Sequence, residues 1–145
     1  MRKDRTNQRL VLLAFVAMPL LAAYAHATAS AELSGQWVGN SQVDGDKIVA
    51  RTSLSLGTAD AENATLRIEG RSTCTLREGR YASGANGAWT LSFKDASGGD
   101  ACARLSKGTF VLHEGTTPRQ LDFEVTYPAS DGGQNLRRGA LSRYP

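Results

Sequence analysis

Leu121-Asp122-Phe123-Glu124-Val125-Thr126-Tyr127 alternates large apolar and polar side chains without a slip over its whole length. A strand points successive side chains to opposite faces, so one face here is wholly Leu, Phe, Val and Tyr while the other carries two acids and a threonine. The run reads as a strand buried on one face only. Outward from it, the same period of two recurs in Ile48, Ala50, Thr52, Leu54 and Leu56, and again in Trp89, Leu91 and Phe93. Residues 36–42, 64–69, 72–78, 107–113 and 136–142 are further strand candidates, which brings the count to about eight.

Turn chemistry separates these runs: Asp44-Gly45-Asp46, Glu69-Gly70-Arg71, Asn86-Gly87, Ser97-Gly98-Gly99-Asp100, Glu114-Gly115 and Asp131-Gly132-Gly133. Such regular punctuation by glycine and short polar residues indicates consecutive antiparallel hairpins. No segment sustains a helical period; the nearest, residues 57–64, is long enough for one turn or a loop. About eight short strands must close on themselves or stack as two sheets, because an open meander leaves two unpaired edges. The expectation is an all-β, antiparallel, up-and-down barrel of about eight strands; a β-sandwich satisfies the same strand count.

The first 27 residues have a different character. Arg2, Lys3, Arg5 and Arg9 precede an apolar run over residues 10–24, and Ala25-His26-Ala27 places small residues at the two positions that matter for cleavage. This is the pattern of a signal peptide over residues 1–27, with a single domain over 28–145. The apolar run has 15 residues, short of the roughly 20 that span a bilayer as a helix, so no membrane span is expected. The chain carries 17 Lys plus Arg against 14 Asp plus Glu; without the leader's four bases and one acid, 13 of each remain. A neutral exported domain lacks the cationic surface that drives phosphate affinity, which argues against nucleic acid as a partner. The expected location is periplasmic or secreted.

Cys74 and Cys102 are the only cysteines. In an oxidising compartment two cysteines have one intramolecular pairing, so a Cys74–Cys102 disulfide is expected. Closing that loop stabilises by about 3 to 4 kcal/mol in the chain-entropy account. A metal site needs more ligands than the two cysteines and His113, the one histidine beyond the leader, can supply.

The segment Ala31-Glu32-Leu33-Ser34-Gly35-Gln36-Trp37-Val38 resembles the opening strand of the small calycin-type barrels. Its Gly35-x-Trp37 unit is similar to that of lipocalins and the avidin group, in which the Trp plugs one end of the barrel. The wider run is closer to bacterial periplasmic inhibitors of serralysin-type metalloproteases, secreted eight-stranded barrels with one disulfide, and Ala101-Cys102 is similar to their second cysteine. The lipocalin resemblance implies a late basic residue packed on the Trp, a role that Arg137 or Arg138 could match. The inhibitor resemblance implies a protein partner, a secreted protease, engaged through an N-terminal trunk. Cleavage after Ala27 leaves only Thr28 to Ala31 ahead of Glu32, a short trunk.

Candidate site residues therefore divide into structural and functional sets. Gly35, Trp37, Trp89 and Arg138 belong to the core or to a pocket wall, since large aromatic residues in phase with Leu and Phe want an inward face. Arg137, Arg138 and Arg143 with Tyr144 form a basic C-terminal patch. Asn63-Ala64-Thr65 matches a glycosylation acceptor, which matters in a eukaryotic secretory route. His113 is the one imidazole available for general base work, yet no serine or paired carboxylate is singled out beside it. The expectation is a non-catalytic binding protein with no cofactor and no bound metal. Its partner is a protein or, alternatively, a small apolar ligand carried inside the barrel.

Overall fold

A computed structural model describes residues 33–145. The leader read over residues 1–27 and the first part of the Ala31 to Val38 segment lie outside the described residues. Strands run in the order β1 (Gly35–Val43), β2 (Val49–Leu56), β3 (Ala64–Glu69), β4 (Thr73–Ser83), β5 (Trp89–Ser92), β6 (Asp95–Ser97), β7 (Thr109–Glu114), β8 (Gln120–Pro128) and β9 (Gln134–Arg143). One short helix, α1 (Asp100–Leu105), joins β6 to β7.

All pairings are antiparallel, and apart from β6, which pairs with β4, each strand lies beside the strand before and after it in the chain, β5 meeting β7 directly. β9 returns to β1 over Trp37↔Arg143 to Val43↔Arg137. β3 pairs with β4 from Ile68↔Cys74 to Ala64↔Gly79. The result is a closed eight-stranded up-and-down barrel with β6 as an extra strand, and the sandwich is excluded because the hydrogen-bonded circuit has no gap. β6 prolongs β5 along the same partner: Arg80↔Ser92 and Arg77↔Asp95 lie three residues apart on both chains. The break between them falls at Phe93 and Lys94.

Period-two alternation carries the core as the sequence implies. Ala50, Thr52, Leu54 and Leu56 of β2 are buried, as are Leu121, Phe123, Val125 and Tyr127 of β8. In β4 the inward set changes parity, from Cys74 and Leu76 to Gly79 and Tyr81. One extra residue does this: the β3–β4 register slips between Leu66 and Ala64, and Glu78 takes φ +52°. It is a β-bulge, and it explains why the strand foreseen at 72–78 continues to Ser83. Gly79 follows because a Cβ there would lie 2.5 Å from the Phe93 ring and 2.8 Å from Ala64. Left-handed backbone is costly for a glutamate. Glu78→Gly is therefore expected to raise the unfolding free energy by about 0.5 to 1 kcal/mol, read as a higher urea midpoint at unchanged slope.

The helix α1 corrects the expectation that no segment is helical, and residues 57–63 form an irregular loop instead. Six residues are too few to show a period, and α1 is held mainly by what it buries, Cys102 and Leu105 one turn apart. Cys102 is bonded to Cys74 with Cα atoms 5.3 Å apart, so the foreseen disulfide fastens α1 to β4. Gly98 permits the approach: a Cβ at that position would sit 2.3 Å from the carbonyl oxygen of Thr73. Among the described residues no helix is long and apolar enough to cross a membrane.

Candidate binding surfaces

The barrel has one plugged end. Trp37 is 2% exposed, and its indole Nε1 donates to the Leu33 carbonyl oxygen at 2.9 Å. The guanidinium of Arg143 lies over the ring, 5.1 Å from its centroid, and donates to the Ser34 carbonyl oxygen. Gly35, at φ +132°, runs beneath that guanidinium. The plug expected of Trp37 is present, but the basic residue on it is Arg143, not Arg137 or Arg138. Register decides this: Arg143 lies opposite Trp37, whereas Arg138 and Arg137 lie opposite Gln42 and Val43 at the other end of β1. Arg138 also points outward, where it pairs with Asp44 and lies 3.7 Å from Glu124. Of the reading of Arg138 as a core or pocket residue, the core half is corrected, and the side chain instead lines a depression on the outer face. Alternation was the available signal, since Arg143 is in phase with buried Leu141.

Between the ends the interior is filled. Leu54, Leu66, Leu76, Tyr81, Leu91, Phe110, Leu112, Leu121, Val125 and Leu141 are all at most 1% exposed. Trp89, 7% exposed, meets Tyr81 edge-on with centroids 5.7 Å apart, as a core aromatic does. Phe110 joins Phe93 and Phe123 in a second aromatic cluster. The Tyr81 hydroxyl donates to the Gly57 carbonyl oxygen at 2.7 Å, and burial, aided by nearby Asp60, pushes its pKa above the ordinary phenol value.

The end opposite Trp37 opens into a mouth of about 620 Å³. Ala50, Ile68, Leu105, Tyr127 and the disulfide form its apolar wall, and the β1–β2 turn with Arg71 and Asn135 its polar rim. Arg137 is the cation of this wall. Its Nη1 donates to Ser41 Oγ at 2.8 Å, and Ser41 Oγ lies 2.8 Å from Thr52 Oγ1, which donates to the Ala50 carbonyl oxygen at 3.2 Å. Because the one Thr52 proton goes to the Ala50 carbonyl, Ser41 donates to Thr52 and accepts from Arg137, so the hydroxyl chain has a single direction. Ser41 and Thr52 are buried polar residues satisfied by this chain.

A second, shallower depression of about 520 Å³ crosses the outer face of β1, β9 and β8. It exists because β9 is thin there. Ala140, the outward residue between Gly139 and Leu141, has only a methyl group to fill the outer side, while Gly139 faces inward, where a Cβ would strike the Phe123 ring at 2.2 Å. The rim is polar, with Gln42, Asp122, Glu124 and Arg138, and Val49 at one margin is 57% exposed. His113 stands exposed on this rim opposite Asp122, whose Oδ1 accepts from Gln120 Nε2 at 3.1 Å. Asn63 is exposed, just ahead of β3. Among the described residues no three His, Cys, Asp or Glu side chains gather as metal ligands.

The architecture, a closed, antiparallel eight-stranded barrel plugged by a Trp of its first strand, is consistent with a calycin-like barrel. No protein-family model matches the chain, and no curated protein matches it.

Proposed function

We propose that this protein is an exported, periplasmic or secreted, non-catalytic binding protein of inhibitor-like character, whose partner is a secreted protease. The observation that carries the reading is the filled interior. Carriage of an apolar ligand inside the barrel needs the space that Leu54, Leu66, Leu76, Phe110, Leu112 and Leu121 occupy, so recognition falls to the ends and the outer face. The resemblance of Ala31 to Val38, and of Ala101-Cys102, to serralysin-type inhibitors supplies the class of partner. A rigid, cross-linked scaffold with a polar-rimmed groove suits protein binding, where little ordering is left to be done on association. His113 supports the non-catalytic reading, because it lies exposed on a rim rather than enclosed in a cleft.

The test titrates the exported protein into a serralysin-type zinc protease turning over a fluorogenic peptide. Dose-dependent slowing that saturates near one inhibitor per enzyme is expected. An unchanged rate, together with no association in biolayer interferometry, overturns the proposal.

A further inference from the structure

We propose that the open mouth of the barrel binds a carboxylate carried beside a small apolar group, as presented by the C-terminal end of a peptide chain, with Arg137 as the anion's partner. The proposal rests on the binding-protein reading but not on the identity of the protease.

Arg137 is in phase with Gly139 and Leu141, so the β9 alternation turns it toward the interior while Arg138 faces outward. Its bond partner is the neutral Ser41 hydroxyl, and its Nε is buried with no acceptor. The directed chain through Ser41 and Thr52 to the Ala50 carbonyl ends on backbone, so it brings no negative charge to the guanidinium. A half-buried guanidinium held by one neutral acceptor is an incomplete arrangement, because five donors in a planar fork match a carboxylate in two bonds. The acids on the rim do not complete it. Asp44 pairs with Arg138, and Asp46 Oδ1 accepts from the Ile48 amide at 3.1 Å.

The surroundings select among anions. The rim carries Asp44 and Asp46 against Arg71 and Arg137, a balance that tolerates one negative charge and repels a dianion such as a phosphate monoester. Beside Arg137 the wall of Ala50, Ile68, Leu105 and Tyr127 offers an apolar seat, while the core beneath is packed. Because that core is closed, an apolar group is seated against the wall of the mouth and does not pass into the barrel. Asn135 on the rim gives a peptide main chain a side-chain amide to meet.

The experiment measures binding of acetyl-Ala-Ala-Leu as the free acid and as the C-terminal amide by calorimetry and by amide chemical shifts on the full exported protein. Acid binding about ten- to a hundredfold tighter than the amide is expected. The shifts should centre on Ala50, Cys102, Tyr127 and Arg137, and Arg137→Gln should remove the preference. Equal binding of acid and amide, or shifts centred on the outer groove, overturns the proposal without any variant having to fold. Decanoate is the control for source: if it binds and the peptide acid does not, the peptide assignment is overturned. Peptide binding without protease inhibition leaves this site standing and removes only the protease.

Discussion

Trp37→Ala is expected to lower the unfolding free energy by about 3 to 5 kcal/mol, the range for removing a buried large aromatic whose site cannot collapse. Collapse is prevented here by the barrel itself. Trp37 sits in β1 between Leu54 of β2 and Arg143 of β9; on their far sides Leu54 is held in the ladder opposite Leu66, and the Arg143 amide donates to the Arg119 carbonyl oxygen at 2.9 Å. The loss also opens the plugged end to water beneath Leu33, which is 2% exposed, and removes the donor that ties the Leu33 carbonyl to the barrel. Arg143 then loses the ring it lies over. Trp37→Phe separates these contributions: most of the apolar area remains, while the Leu33 bond goes, so a cost of about 1 to 2 kcal/mol is expected. Urea unfolding followed by far-ultraviolet circular dichroism checks both. An alanine variant within 1 kcal/mol of the parent would show that the plug is not part of the cooperative unit.

How much of this was legible in the chain depends on the range of the cause. Leu121 to Tyr127 and Ile48 to Leu56 announce themselves because a strand with one wet face must alternate, and the structure buries the expected residues except Ile48, which lies just ahead of β2 and is half-buried. The turns at Gly45 and Gly132, with φ near +81° and +87°, follow from residues two or three positions away. Closure is a different matter, since β1 meets β9 almost a hundred residues later and no local pattern distinguishes that pairing from a sandwich edge. The helix α1 was hidden for a related reason: its cause is the Cys74–Cys102 bond and the close approach of Gly98 to β4, both tertiary. The guanidinium over Trp37 was misplaced by five or six residues because the position depends on how β9 is registered on β1. The mouth was not legible at all. Its residues come from separate strands, the helix and two turns, and Arg137 acquires meaning only once Ser41 and Thr52 are beside it.

Removing the disulfide by Cys74→Ser with Cys102→Ser is expected to cost about 3.5 kcal/mol, the loop-entropy value for the span it closes, and to lower Tm by about 10 to 20 °C for a domain of this size. The sequence separation is 28 residues, and that loop contains the rest of β4, β5, β6 and the start of α1. Those elements differ in how else they are held. β5 is paired on both sides, to β4 and β7, whereas β6 is paired to β4 alone and α1 belongs to no ladder. The bond therefore acts on two levels. It restricts the unfolded chain, which lowers stability globally when it is lost, and it holds the least supported corner of the folded barrel. Hydrogen exchange in the double serine variant should show α1 and β6 opening well before β8 and β9, whose pairing extends over Gln120↔Ser142 to Pro128↔Gln134. Because α1 supplies Leu105 and Cys102 to the mouth, the same variant should weaken binding there at temperatures where the barrel is still folded. Uniform protection across α1, β6 and β8 in the variant would mean that the corner is held by packing of Leu105 alone, and that the bond works only on the unfolded chain.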